Sequence, residues 1–459
     1  MQMSNRLVFS LFSSLAIVLA ALHSPGEMSV DSIIALYSAL KGVAAGWDQT
    51  FFSATLSWLG GGVVGSSLFV ALNCIMTYGC FVTLLMRHAD ALPVPRWQYG
   101  MAIVLALNPL FMFYVGIVWK DVMLATVAML AATLIISAIR QSGFKRLLLL
   151  GLAILAIGVL TPIRQQGFLI AAPFAAVAAC LMAASYRKQK SPRVIRVGIF
   201  FTCILITAGV TGILQVQSTR TIKPPGQNSM HVGLLVIQSF DIAGMIANAA
   251  PGDPSHWSMA PPAVQAKIKS LYDPERIDTF WHDPIIRPYL DALSAKQHWT
   301  IWEHGIAHNP MAYVKHRLSA MSMLLGFGCI DGCVPAYWGI YGLPEQVQAL
   351  GFHEEMDDRA KAIGRLVTDL RSSPVFRNWF YALLLLFASV FGIRRSRGEK
   401  RWVVYGIATA SWLYLLSFIP TAISCDVRYL YPVASLATLL AVFVLGNTTK
   451  HVKHTQVYP

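Results

Sequence analysis

Ten stretches of this chain, 6–22, 59–86, 98–119, 122–139, 146–163, 167–185, 197–216, 376–393, 402–423 and 429–446, are apolar and almost free of charge. Roughly 20 consecutive apolar residues cross the hydrocarbon core of a bilayer, with about 17 to 25 the usual range. Inside hydrocarbon the backbone must satisfy its own hydrogen bonds, which leaves helices or closed barrels. Runs of this length without period-two alternation read as helices. The chain is therefore expected to be an all-α polytopic membrane protein with about ten transmembrane helices. Charge usage agrees: 13% of the 459 residues are charged, against about 25% in soluble domains.

The basic residues orient the spans. They cluster in alternate connections: Arg6; Arg87 and Arg96; Arg140, Lys145 and Arg146; "YRKQKSPRVIR" (186–196); "RRSRGEKR" (394–401); and Lys450 with Lys453. Only Asp90 and Glu399 accompany them. By the positive-inside rule these connections and both termini are cytoplasmic, in a bacterial inner membrane. The net charge of +14 is then mostly a topology signal; spread over thin loops, it is no nucleic-acid footprint. Arg6 before an apolar run also suits a signal peptide, but no A-x-A pattern follows, which favours a retained anchor.

Fifteen of the 22 acids lie in one hydrophilic segment, 217–375. The expected organisation is a transmembrane module, 1–216, with spans 1–7 and a first outer loop (23–58). An extracytoplasmic, mostly helical domain follows (217–375), and then spans 8–10 with a short cytoplasmic tail (376–459). Apart from Asp90 and Glu399, the acids elsewhere are Glu27, Asp31, Asp48, Asp121 and Asp426. All five fall on the outer side of this topology, as do Lys120, Arg164 and Arg428. Taken singly, Asp121 would stabilise the positive N-terminus of span 4 while Lys120 snorkels to water. Three outer turns, "WKD", "TPIRQQG" and "SCDVRYLYP", each carry a cation, however. Ionisable groups at membrane depth are costly and mark functional paths, and these converge on one rim.

In the first outer loop, Ile33, Leu36, Tyr37, Leu40 and Ala44 recur at helical spacing, with Asp31, Ser38 and Gly42 on the opposite face. This pattern predicts a helix lying in the interface with Asp31 near its start. Asp31 there serves either as an N-terminal helix charge or in chemistry.

An acidic residue leading into an interfacial helix of the first outer loop resembles the GT-C membrane glycosyltransferases. These enzymes take sugars from polyprenyl-phosphate carriers and include the protein mannosyltransferases and lipid A aminoarabinose transferases. The matching residues are Asp31 in "GEMSVDS", Lys120 and Asp121 in "WKD", Arg164 in "TPIRQQG", and Asp426, Arg428 and Tyr429 in "CDVRYLYP". The stretch 298–321, with its Pro, Tyr and Arg, is also similar to bacterial members. Many relatives carry an Asp-Glu pair in the first loop, where this chain has Glu27 and Asp31 four apart.

The resemblance implies transfer of a sugar from a polyprenyl phosphate or pyrophosphate to a glycan, lipid or protein acceptor at the outer face, with inversion. Such chemistry needs a carboxylate to take the acceptor proton, and cations to neutralise the departing phosphate. Asp31 is the expected base, with Glu27 next in line. Lys120, Arg164 and Arg428 are the expected phosphate ligands, oriented by Asp121, Asp426 and Tyr429. No cofactor is certain, and a divalent cation is an option. The alternative is an envelope polysaccharide polymerase or ligase, followed by a lipid-linked sugar transporter or flippase. A transporter would show mid-membrane charges and inverted repeats, which are not evident.

Other features read more plainly. His304 and His308 lie one helical turn apart but belong to no H-E-x-x-H motif, and suit a solvated or packed face. "HEEMDD" (353–358) suits a charged surface helix, and Gly60 to Gly62 suit close packing or a hinge. Trp257, Trp281, Tyr289, Trp299, Trp302, Tyr313, Trp338 and Tyr341 are assigned to the outer domain's core, although sugars stack on such rings. Cys329 and Cys333 could pair across a turn at Asp331 and Gly332, which leaves Cys425 unpaired.

Overall fold

The computed structural model describes residues 4–45, 50–90, 95–187, 192–224, 229–249, 260–328, 333, 335–353 and 356–446, apart from the side chains of 87–90, 187 and 229–231. Asp48, Lys188, Lys190, Trp257, Cys329, Asp331, Gly332, Glu354, Glu355, Lys450 and Lys453, which figure in the patterns above, lie outside the described residues. So do the side chains of Arg87, Asp90 and Arg187.

Every regular element among the described residues is helical. First comes α1 (Asn5–His23), then two short helices, α2 (Val30–Lys41) and α3 (Thr50–Trp58), and the long α4 (Gly62–Asp90). α5 (Arg96–Ala106) and α6 (Pro109–Tyr114) lead to α7 (Lys120–Ala138), α8 (Gly143–Ile163), α9 (Phe168–Arg187) and α10 (Arg193–Thr221). The hydrophilic segment forms α11 (Ser229–Asn248), α12 (Pro262–Leu271), α13 (Asp278–Trp281), α14 (Ile286–Ala292), α15 (Ala295–His308), α16 (Pro310–Leu325), α17 (Pro344–Ala349) and α18 (Asp358–Leu370). α19 (Asn378–Arg395), α20 (Glu399–Leu416) and α21 (Tyr431–Leu445) return to the bundle.

Seven of these helices, α1, α4, α7, α8, α9, α10 and α21, are long and apolar enough to cross a membrane. They divide by burial. The apolar windows of α7 and α21 are 89% buried and form the bundle centre, whereas that of α10 is 11% buried. α10 exposes Val194, Phe201, Leu205 and Ile213 all the same. A helix apolar on every side that its own protein leaves uncovered needs lipid around it. The expected span 98–119 is not one helix. Asn108 caps the start of α6, its Oδ1 accepting the Leu110 N–H at 2.9 Å, and Pro109 sits at N1. A residue before proline is pushed out of helical geometry, so "LNPL" splits this run into α5 and α6.

The two ends of the bundle carry separate charge sets. At the start of α8, Arg146 donates bidentately to Glu399 at 2.8 and 3.0 Å. Just past its other end, Arg164 donates to Asp121. Twenty-one helical residues span roughly 30 Å, the thickness of a hydrocarbon core. The groups expected on the inner and outer rims thus lie at opposite ends of one helix.

In the first connection α2 forms over the expected residues, but not with the expected polar face. Ser38 is buried: its hydroxyl donates to the Ile34 carbonyl at 2.8 Å and accepts the Ala45 N–H at 2.9 Å, closing the helix end. α3, with Phe51, Phe52 and Leu56 buried, fills a region expected to be loop. Gly60, Gly61 and Gly62 all take positive φ and make the tight turn into α4, a conformation that side chains disfavour.

The cysteine expectation is overturned: Cys425 is not unpaired but joined to Cys333, 92 residues away. The bond fastens the hydrophilic segment to the turn between α20 and α21. Closing a loop of this size removes about 4–5 kcal/mol of unfolded-chain entropy in the loop-closure account. Cys333→Ser and Cys425→Ser are therefore expected to lower the thermal midpoint equally, with no added loss in the double variant. Additive losses would contradict the pairing.

Candidate functional site

Three interhelical turns and α2 meet at one cavity of about 220 Å³. Asp31 comes from the first turn of α2, Lys120 and Asp121 from the first turn of α7, Arg164 from the turn after α8, and Arg428 and Tyr429 from the turn before α21. All six line the cavity. Val236 and Ile237 of α11, with Phe418 and Ile423, form its apolar part.

The charged groups are paired, but not equally. Arg428 Nη1 donates to Asp31 Oδ2 at 2.6 Å, and its Nε lies 3.5 Å from Asp426 Oδ2. Asp426 does not line the cavity; it bridges Arg428 to Arg276 of the hydrophilic segment, 3.2 Å away. Arg164 binds Asp121, whose side chain is 2% exposed, while that of Asp31 is 47% exposed. An exposed ion pair contributes about 0–1 kcal/mol, whereas breaking a buried one costs about 3–5 kcal/mol. Asp31 can exchange its partner for a ligand; Asp121 is fixed as a support for Arg164. Burial alone would raise the Asp31 carboxyl, but the charges of Arg428 and Lys120 and the Arg428 hydrogen bond outweigh it and hold the group below its ordinary value.

Aromatic rings set the guanidiniums. Arg164 and Arg428 lie 5.2 and 5.3 Å from the centroid of the same Tyr429 ring. Phe418 stacks on Tyr429 and also faces Arg164. Trp119 lies 4.8 Å from Arg428 and donates its indole N–H to Ser29 Oγ at 2.8 Å. Rings around a cation supply a weak electrostatic attraction and keep the fork in one orientation. Gln166 adds a second support, accepting from Arg164 Nε at 3.0 Å and donating to Thr421 at 3.1 Å.

Glu27 does not line the cavity. It is fully buried: one oxygen accepts the Gly339 N–H at 2.5 Å and the other faces His23 Nδ1 at 3.3 Å, with Arg359 3.9 Å away. Its backbone pairs with Gly116 and Val118. Glu27 therefore ties the segment before α2 to the turn between α6 and α7 and to residues 339 and 359 of the hydrophilic segment. Glu27→Ala is expected to cost about 3–5 kcal/mol of stability, the figure for removing one partner of a buried charge cluster. A fully stable Glu27→Ala protein would contradict this structural role.

Four contacts between the outer domain and the 422–426 turn were not legible as sequence motifs. Arg317 donates to the Ala422 carbonyl at 2.9 Å, Ile277 N–H to Ile423 O at 3.0 Å, Arg276 to Asp426, and Cys333 is bonded to Cys425. Arg317 is itself set by the buried Asp241 at 2.6 Å. Asp241 also faces His316 Nε2 at 3.4 Å and accepts from Trp302 at 2.8 Å. Burial lowers the His316 imidazole from its ordinary value, despite Asp241, and its Nδ1 lies 2.9 Å from the Tyr272 hydroxyl. These groups pack one domain; they do not reach the cavity.

His304 and His308 stack at 3.8 Å on the exposed side of α15, as a solvated face. Asp357 of "HEEMDD" caps α18 by accepting the Ala360 N–H at 2.7 Å. The cavity's donor set does not fit a divalent cation, because Asp31 and Asp121 each face an arginine. Among the described residues the one group of converging ligand atoms, Glu275 with Cys333 and Cys425, contains sulfurs already bonded to each other.

The chain matches no family model, no curated protein and no solved structure.

Proposed function

We propose that this protein is a membrane glycosyltransferase that moves a sugar from a polyprenyl-phosphate or pyrophosphate carrier to an acceptor hydroxyl at the outer face of a bacterial inner membrane. The reading takes ten spans, with α5–α6, α19 and α20 adding to the seven, and both termini in the cytoplasm. The observation that carries it is the accessible Asp31 carboxylate facing Lys120, Arg164 and Arg428 in one cavity at the bundle's rim.

The proposed roles are consistent with the geometry. Donor phosphate competes with Asp31 for Arg428 and is held there by Arg164 and Lys120. Asp31, released from its ion pair, accepts the proton of the acceptor hydroxyl. The hydroxyl oxygen bonds to the anomeric carbon as the bond to the phosphate oxygen breaks. The electron pair leaves with the carrier phosphate, whose charge the three cations meet. The apolar wall of Val236, Ile237 and Phe418 faces the carrier's first isoprene units. Asp121 and Asp426 hold the arginines. No step needs a metal.

A pH dependence follows. In the free enzyme Arg428 and Lys120 hold Asp31 low, so the acid limb of kcat/KM lies below the usual carboxylate range. Bound phosphate neutralises those cations and lets Asp31 rise, so the acid limb of kcat lies at higher pH, by about 1–3 units. Coincident limbs would contradict the displacement. The function itself is tested with radiolabelled sugars on a panel of polyprenyl phosphates and pyrophosphates, in membranes with and without the protein. Protein-dependent transfer to a lipid, protein or polysaccharide is expected. No transfer from any donor, combined with altered polysaccharide chain length in cells, would replace this reading with a polymerase.

A further inference from the structure

The aromatic residues of the outer domain do not all belong to its core. Trp302 is bonded to Asp241 and Trp281 lies under Arg287 at 4.3 Å. Tyr337, Trp338 and Tyr341 instead line an open cavity of about 180 Å³. Trp338 also forms one wall of a second cavity, of about 590 Å³, whose other wall is α18. That volume falls within the roughly 300–1,000 Å³ of small-ligand sites. The indole is pressed on α18 where Gly364 leaves room: a Cβ there would lie 2.5 Å from Trp338 Nε1.

Packed rings link this groove to the charged site. Tyr337 packs edge-on against Trp119 at 5.6 Å, and Trp119 in turn lies 4.8 Å from Arg428. The loop that bears the rings is also laddered to the segment leading into α2: Met28 N–H donates to Gly339 O at 2.8 Å, and Tyr341 N–H to Met28 O at 2.9 Å. Asp31 follows three residues later. The ring platform and the proposed base are thus held at fixed positions by the same backbone ladder.

We infer that this groove is the acceptor subsite and that it binds a carbohydrate chain. The inference rests on the proposed glycosyl transfer and names its acceptor class. The C–H faces of a pyranose pack flat on aromatic rings, and its hydroxyls need donors and acceptors at the edge. The α18 rim supplies them: Asp358, Lys361, Arg365, Thr368 and Asp369 face the same cavity as Trp338. An acyl chain would cover those charges without offering them hydrogen bonds. A polyanion would meet Asp358 and Asp369. A neutral polyol suits rings edged by both signs of charge.

The test uses the full-length protein in detergent or nanodiscs, with soluble oligosaccharides of glucose, mannose, galactose and N-acetylglucosamine as probes. Binding and transfer are measured in parallel. Tyr341→Ala and Arg365→Ala, both at exposed positions, and Trp338→Phe, which keeps a ring against Gly364, guard against loss of fold. At least one oligosaccharide is expected to bind. Tyr341→Ala and Arg365→Ala are expected to weaken it about tenfold, and to raise the acceptor KM likewise with donor KM unchanged. Trp338→Phe retains most of the binding. No binding of any probe, or equal binding by all variants, overturns the groove as an acceptor site. Oligosaccharide binding without sugar transfer by the wild type from any donor would instead remove the glycosyltransferase reading and leave the groove standing.

Discussion

Asp31→Asn is expected to lower transfer by about 10²–10⁴-fold, the usual loss when a positioned general base is removed. The protein should still insert, because the Asp31 side chain is half exposed and Arg428 keeps Asp426 as a partner. Donor binding should hold or improve, since the carboxylate no longer competes with phosphate for Arg428. The residual rate should also lose the acid limb in kcat/KM. A variant that transfers at the wild-type rate would remove Asp31 from the chemistry. Glu27 could not simply take over, because it is buried behind His23, Gly339 and Arg359.

Arg428→Lys is expected to be nearly as damaging, with a loss of about 10²–10³-fold, the scale of removing one preorganised donor from a developing anion. Charge is conserved in this exchange, so the loss measures geometry. The guanidinium meets Asp31 and Asp426 through different nitrogens while lying between Trp119 and Tyr429. A lysine ammonium is a single point charge and cannot keep those partners at once. The loss should appear in donor affinity and, because charge develops on the departing phosphate, in kcat as well. Near-wild-type activity in Arg428→Lys would mean that only net charge matters there.

Much of this site was legible before any coordinates. Lys120, Asp121, Arg164, Arg428 and Tyr429 stood out because ionisable groups are rare beside apolar runs, and alternation of basic loops put them on one side. Asp31 was legible from the 3.6-residue pattern that starts at Val30. What the sequence hid was interaction across the chain. Nothing local marks Glu27 as structural and Asp31 as open, because burial depends on residues 339 and 359. The Cys333–Cys425 bond joins positions 92 apart, which spacing cannot reveal. Arg276 and Arg317 sit in an ordinary charged domain, and their contacts with 422–426 arise only on folding. The break at Asn108–Pro109 is different. Its signal was local, and an expected apolar length of 22 residues overrode it.

The proposed mechanism divides labour within one cavity: arginines bind the carrier phosphate and Asp31 takes the proton. The most direct measurement is equilibrium binding of a polyprenyl phosphate, paired with single-turnover sugar transfer, for wild type, Asp31→Asn and Arg428→Ala in nanodiscs. Full or tighter binding with lost transfer is expected for Asp31→Asn, and weakened binding for Arg428→Ala. Equal binding by all three, or binding lost on replacing Asp31 and kept on replacing Arg428, would contradict it.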